Sequence, residues 1–186
     1  MSKNYTTQNE LLLKNLLTYY DNEENLNKML NIINGESKIS LRIVDWFVTN
    51  YAKMNFTVFN ISKNENVVRF KVYFDYKLKL KAYSKKRFDP FCRWERITIP
   101  YRNGSVIQTT IGQLNFFKWA IENDVIKYIE DNYQHIENDM NSRNSNSKKN
   151  KDSYKNNKTR KKREELSISA VKSIKKEDVE IIVKFD

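Results

Sequence analysis

The chain has 186 residues, a length that suits one domain with appendages, and its 34 Lys or Arg against 23 Asp or Glu give a formal net charge of +11. Cys92 is the single cysteine and His135 the single histidine, which excludes an intrachain disulfide and every four-cysteine or cysteine–histidine zinc site. Three glycines and two prolines are too few for the tight turns of an all-β sandwich, whereas 11 tyrosines, 10 phenylalanines and 3 tryptophans can fill a core.

Residues 9–34 read as helix: Leu12, Leu13, Leu16 and Leu17 recur at helical spacing, followed by Leu26, Met29, Leu30 and Ile33. Asp21 or Asn22 starts a second helix within this stretch, and Gly35 stands where that helix would end. Ser40 suits the N-cap of a further helix, with Leu41, Val44, Phe47, Val48 and Tyr51 on one face and Trp46 flanking it. The β-branched run IVDWFV is also compatible with a strand. From Phe56 the period shifts towards two. Phe56, Val58, Phe59 and Ile61 outline one strand, and Ser62–Asn66 a polar turn. Val68, Phe70, Val72 and Phe74 then alternate with Arg69, Lys71 and Tyr73 as a returning strand, which Leu78 and Leu80 prolong. RITIPY (Arg96–Tyr101) and SVIQT (Ser105–Thr109) flank Arg102-Asn103-Gly104, a hairpin signal because Asn-Gly supplies positive φ angles. Thr110 suits the N-cap of a helix whose apolar face is Leu114, Phe117, Ala120 and Ile121. A second helical stretch runs through Val125, Ile126, Ile129, Tyr133 and Ile136.

At Asn141 the apolar pattern stops, and residues 141–163 are almost wholly Asn, Ser, Lys and Arg. LSISAVKSI (Leu166–Ile174) and VEIIVKF (Val179–Phe185) then alternate as strands. The expected class is α+β: N-terminal helices, a central antiparallel sheet with hairpins, two helices, and C-terminal strands returning to the sheet. Residues 1–140 form the globular domain, 141–163 a disordered basic linker with nothing to bury, and 164–186 a strand pair packed on the main domain. Lys14 interrupts the one N-terminal apolar run, so no signal peptide is read there, and no stretch approaches the ~20 apolar residues of a membrane span. A soluble protein of a reducing compartment, without membrane contact, is expected.

Two regions carry concentrated positive charge. Residues 141–163 hold ten Lys or Arg against one acid, Asp152, while residues 164–186 are net acidic. Within this segment Lys158, Arg160, Lys161, Lys162 and Arg163 suit polyanion binding through counterion release. The same string fits a nuclear import signal, or a solvated linker whose lysines reflect AT-rich coding. The second region, Lys77–Arg96, holds eight basic and two acidic residues interleaved with aromatics. Lys79, Lys81, Lys85, Lys86 and Arg87 would hold a nucleic-acid backbone, with Tyr83 and Trp94 stacking on bases. Alternating lysines are equally the wet face of an edge strand, and Phe88 and Phe91 around Asp89-Pro90 fit a core plug beneath a turn. Cys92 has no local base, so a Cys92–His135 catalytic pair is not expected. Glu122, Asp124, Glu130, Asp131, Glu137 and Asp139 read as a solvated helix face. No catalytic residue, cofactor or metal site is read from the sequence, and there is no P-loop, dinucleotide fingerprint or HExxH motif.

Three stretches, SLRIVDWFVTNYAK (Ser40–Lys53), KLKAYSKKRFDPFCRWERI (Lys79–Ile97) and TTIGQLNFFKWAIENDVIKYIEDN (Thr109–Asn132), together with the end KKREELSISAVKSIKKEDVEIIVKFD, bear a family likeness. The combination resembles an uncharacterised protein family of nucleocytoplasmic large DNA viruses, the mimivirus-like giant viruses, over about residues 40–186. The resemblance implies a viral protein made in the host cytoplasm, at the viral factory or in the virion, with the host nucleus open to it through the basic string. It transfers no catalytic or binding residue. The expected function is a non-enzymatic protein associated non-specifically with DNA or RNA. The alternative is a protein–protein adaptor or structural virion protein that binds other viral proteins.

Overall fold

The structure is a computed structural model that describes residues 7–63, 65–101, 105–152 and 176–178. Local chemistry sets the first elements. Thr7 and Glu10 form a reciprocal capping box on α1 (Gln8–Tyr20), and Asn22 caps α2 (Glu23–Asn34) by accepting from the Glu24 amide at 2.9 Å. Gly35 closes α2 in the left-handed region, φ 75°, where a side chain would be strained. Ser40 caps α3 (Leu41–Trp46), which passes through a π-helical turn (Phe47–Tyr51) into the short α4 (Ala52–Met54). IVDWFV is therefore helical, and Ile43, Val44, Phe47 and Val48 are buried on it.

β1 (Val58–Lys63) and β2 (Asn66–Lys71) pair antiparallel as the expected hairpin, with Phe59 opposite Phe70. The returning strand stops at Lys71. Residues expected to prolong it, Val72 to Leu80, instead form α5 (Val72–Arg87), and this corrects the period-two reading of that stretch. Lys and Leu are strong helix formers, and their alternation in KLKLK does not by itself specify a strand. The deciding pattern is the 4-4-3 spacing of Val72, Tyr76, Leu80 and Tyr83, which turns one stripe onto the core. Phe74 and Leu78, placed inside by the strand reading, are 61% and 66% exposed. The helix breaks at Ser84, φ 63° and ψ 167°, before its basic end at Lys85, Lys86 and Arg87.

β3 (Arg96–Pro100) and β4 (Ser105–Thr110) pair antiparallel around the expected hairpin, whose Asn-Gly turn lies outside the described residues. Thr110 caps α6 (Ile111–Glu122), accepting from the Gln113 amide at 3.2 Å. α6 is the centre of the molecule, buried from Gly112 to Phe117 and again at Trp119 and Ala120. Tyr20 donates from α1 to the Leu114 carbonyl at 2.8 Å, and Tyr76 and Phe88 pack their rings against Phe116 and Trp119. α7 (Val125–Asp131) and α8 (Tyr133–Asp152) close the other side, where Trp46 donates to Asp139 at 3.0 Å.

α8 crosses the domain boundary expected at residue 140 and continues to Asp152, so residues 141–152 are helix and not the start of a disordered linker. An i,i+4 pair, Asp139 with Arg143 at 2.7 Å, carries the helix over that boundary. Residues 153–175 and 179–186, including residues 153–163 of the basic linker and both expected C-terminal strands, lie outside the described residues. β5 (Lys176–Asp178), between those two strands in sequence, pairs antiparallel with β4. Residues 176–178 thus join a sheet. The class is α+β and mostly helical, with the antiparallel pairing divided between a β1-β2 sheet and a β3-β4-β5 sheet.

Candidate functional site

The helical path of α5 redistributes the lysines that the sequence lines up on one wet strand face. Lys77 and Lys81, four residues apart, share the outer face with Phe74 and Leu78. These residues and Leu80 line an open hollow of about 500 Å³, to which only α5 contributes among the described residues. Lys79 turns the other way, into a polar cavity of about 170 Å³ between α5 and α6. Beyond the Ser84 kink Lys85 and Lys86 are exposed and Arg87 is half-buried. Lys77, Lys79, Lys81 and Lys86 make no ion pair among the described residues.

The turn after α5 is held rigidly. Asn115 donates to the Arg87 carbonyl at 2.9 Å, Gln113 to the Pro90 carbonyl at 3.1 Å, and Thr110 to the Cys92 carbonyl at 3.3 Å. Asp89 accepts from the Phe91 amide at 2.8 Å. Phe88 is fully buried, as the core-plug reading requires, while Phe91 is half-buried. Tyr83 stacks on Phe88 at 6.1 Å, so one face of its ring is covered. Trp94 is 75% exposed. Cys92 is buried with its thiol donating to the Lys86 carbonyl at 3.4 Å, and His135 is exposed on α8. Lys158, Arg160, Lys161, Lys162 and Arg163 lie outside the described residues.

Beneath this turn two carboxyls are brought towards each other. Burial pushes the Asp45 carboxyl up to about 6, the Asp89 charge adds to the rise, and the Lys85 ammonium opposes it. Burial likewise raises Asp89, against the Phe91 amide bond and Lys85. Burial and the same two acids lift the Tyr76 hydroxyl to about 12. The charge of Lys85 is therefore partly engaged within the protein. Among the described residues no three His, Cys, Asp or Glu side chains are placed to hold a metal ion, and no helix is long and apolar enough to cross a membrane.

The model of a family described as "Family of unknown function (DUF7197)" matches residues 1–186. The chain belongs to that family. It is also similar to "Uncharacterized protein L507" of Acanthamoeba polyphaga mimivirus, 50% identical over 117 residues, which are 60% of this chain and 45% of that protein. The match thus spans less than half the length of this curated relative. No solved structure matches the chain. These matches bear out the giant-virus resemblance, and the chain is a viral protein.

In this DUF7197 member the polar cavity is the feature that sequence reasoning missed. Asp75, Lys79 and Tyr83 line it from α5 at i, i+4 and i+8, and Asn115, Lys118 and Glu122 line it from α6 at i, i+3 and i+7. Both spacings are visible in the sequence once the segments are read as helices. The strand reading of residues 72–80 hid the α5 spacing, and the α6 spacing is that of any polar helix face.

Proposed function

We propose that this viral protein acts without catalysis as a nucleic-acid-associated component of the viral factory or virion in the host cytoplasm. The observation that carries the reading is the run of lysines on and after α5. Lys77, Lys81 and Lys86 are exposed and have no carboxylate partner among the described residues. Exposed cations without internal partners exchange counterions for phosphates at little cost. Trp94 offers an uncovered ring for stacking, and Tyr83 offers one remaining face. The ten Lys or Arg of residues 141–163 supply the larger share of charge and no base preference.

The test is a salt titration on single- and double-stranded oligonucleotides. Replacing Lys77, Lys81 and Lys86 with Gln lowers the slope of log K against log salt by about 2–3 if all three make contact. Replacing Lys158, Arg160, Lys161, Lys162 and Arg163 lowers it by about 4 on the same basis. Trp94→Ala leaves the slope unchanged and weakens single-strand binding by roughly 1–3 kcal/mol. Absence of binding by the wild type at low salt sinks the reading.

One observation favours a second reading, a protein–protein adaptor. Phe74 and Leu78 are neighbours on the outer face of α5 and are both more than half exposed. Apolar pairs at this spacing serve helix-to-partner contacts. A stoichiometric viral partner that survives nuclease and is lost in Phe74→Ser/Leu78→Ser would establish it.

A further inference from the structure

We propose that the cavity between α5 and α6 is a binding site for the phosphate group of a phosphate monoester. The site goes beyond the polymer-binding reading. It borders that surface through Tyr83.

Three lysines converge on the cavity from three elements: Lys63 at the end of β1, Lys79 from α5 and Lys118 from α6. The two carboxylates in its wall are already engaged. Asp75 accepts from the Trp119 indole at 2.6 Å, and Glu122 is paired with Lys118. Lys63 and Lys79 have no such partner among the described residues. The five charged side chains sum to a formal +1, three ammonium groups against two carboxylates, because the neutral indole donor leaves the charge of Asp75 in place; Lys63 and Lys79 are the two ammonium groups without an ion-pair partner. A phosphate monoester is anionic at neutral pH and offers three acceptor oxygens, for which the unpaired Lys63 and Lys79 are donors. A diester has only two free oxygens and continues as chain on both sides.

Size supports the same choice. About 170 Å³ is below the roughly 300–1,000 Å³ of pockets that enclose whole small molecules. The phosphate enters, and the group it esterifies stays at the mouth. The wall also holds an unmet acceptor: Asn123 is 4% exposed, its Nδ2 donates to the Trp119 carbonyl at 2.7 Å, and its Oδ1 has no hydrogen-bond partner. Buried acceptors are rarely left so, and a hydroxyl of the ligand is the kind of donor that completes this one. The phosphate has two sources, the 5′ end of a nucleic-acid strand or a small phosphorylated metabolite.

Titration calorimetry of the full chain at moderate salt tests the site with adenosine 5′-monophosphate, adenosine, inorganic phosphate, and one oligonucleotide with and without a 5′-phosphate. The monophosphate binds and adenosine does not. Lys79→Gln and Lys63→Gln each weaken the monophosphate by about tenfold or more, the loss of one charge-assisted contact. Lys81→Gln, on the outer face, leaves it unchanged. Lys63 is exposed at a strand end, so its variant carries the test should Lys79→Gln disturb α5. A 5′-phosphate that strengthens oligonucleotide binding assigns the strand end; equal binding with and without it assigns the metabolite. The proposal is overturned if no phosphate-dependent binding is seen, or if Lys81→Gln costs as much as Lys79→Gln. Loss of the 5′-hydroxyl oligonucleotide alone would count against the polymer reading and leave this one standing.

Discussion

Gly112→Ala sets two effects of opposite sign against each other. Gly112 is the second residue of α6, and its φ is not positive, so Ala can adopt its backbone. On helix propensity alone the exchange stabilises by about 1 kcal/mol. The surroundings oppose it. A Cβ there would lie 2.8 Å from Cys92 Cβ, 2.9 Å from the Lys86 carbonyl oxygen and 3.1 Å from Cys92 Sγ. Neither of the two nearest atoms is the end of a flexible side chain: one is in the last turn of α5 and the other in the turn after it, which Asn115, Gln113 and Thr110 tie to α6 through Arg87, Pro90 and Cys92. Overpacking of this kind costs typically ~1–3 kcal/mol, and here two contacts must be relieved at once. The net expectation is a loss of roughly 1–2 kcal/mol, or about 2–8 °C in Tm for a chain of this size. Thermal and urea denaturation followed by circular dichroism measure it. Adding Cys92→Ala removes Sγ but keeps the nearer Cβ, so it does not restore stability. A Tm for Gly112→Ala equal to or above the wild type would refute the reasoning.

Two further changes probe the same region. Asp45 titrates near 6 in the folded protein, above its unfolded value near 3.9, so the folded state holds this proton more tightly. Its contribution is full below about pH 4 and is lost as pH rises to about 6, up to roughly 3 kcal/mol. Asp45→Asn should therefore gain stability relative to the wild type across pH 4–6, seen in paired Tm–pH curves; parallel curves would contradict it. Ser84 holds φ 63° and ψ 167°, a region close to glycine-only that costs ~1–3 kcal/mol. Glycine relieves this at an unfolded-state cost of about 0.5–1 kcal/mol, so Ser84→Gly is expected to raise the urea midpoint and Ser84→Val to lower it.

The parts of the fold that sequence reasoning reached are those fixed by neighbours in the chain. Asn22, Ser40 and Thr110 cap helices because a short side-chain oxygen reaches an amide two or three residues on, a relation needing no tertiary contact. Gly35 and the two hairpins are local in the same sense. α5 was not legible in this way. VRFKVYFDYKLKLKAY satisfies period two and period 3.6 together, and both readings bury large residues. The choice is made by α6, more than 30 residues later in the chain, where Trp119 finds Asp75 and Phe116 receives Tyr76. α8 failed for the opposite reason. An Asn, Ser, Lys and Arg run offers no apolar stripe, yet Arg143 pairing back to Asp139 carries the helix past Asn141.

The candidate site inherits both outcomes. Sequence grouped Lys79 and Lys81 as equivalent members of one basic strand. On a helix, residues two apart point about 200° away from each other, so these two lysines cannot serve the same ligand group. Lys81 joins Lys77, Phe74 and Leu78 on an open surface suited to an extended partner. Lys79 joins Lys63 and Lys118 around a small cavity suited to a single anionic group. Charge on the open face acts by number, so its loss should be graded and strongly salt-dependent. Charge in the cavity acts by position, so its loss should be steep and specific to one ammonium group. The same Lys→Gln change at two positions two residues apart therefore separates the two modes within one helix.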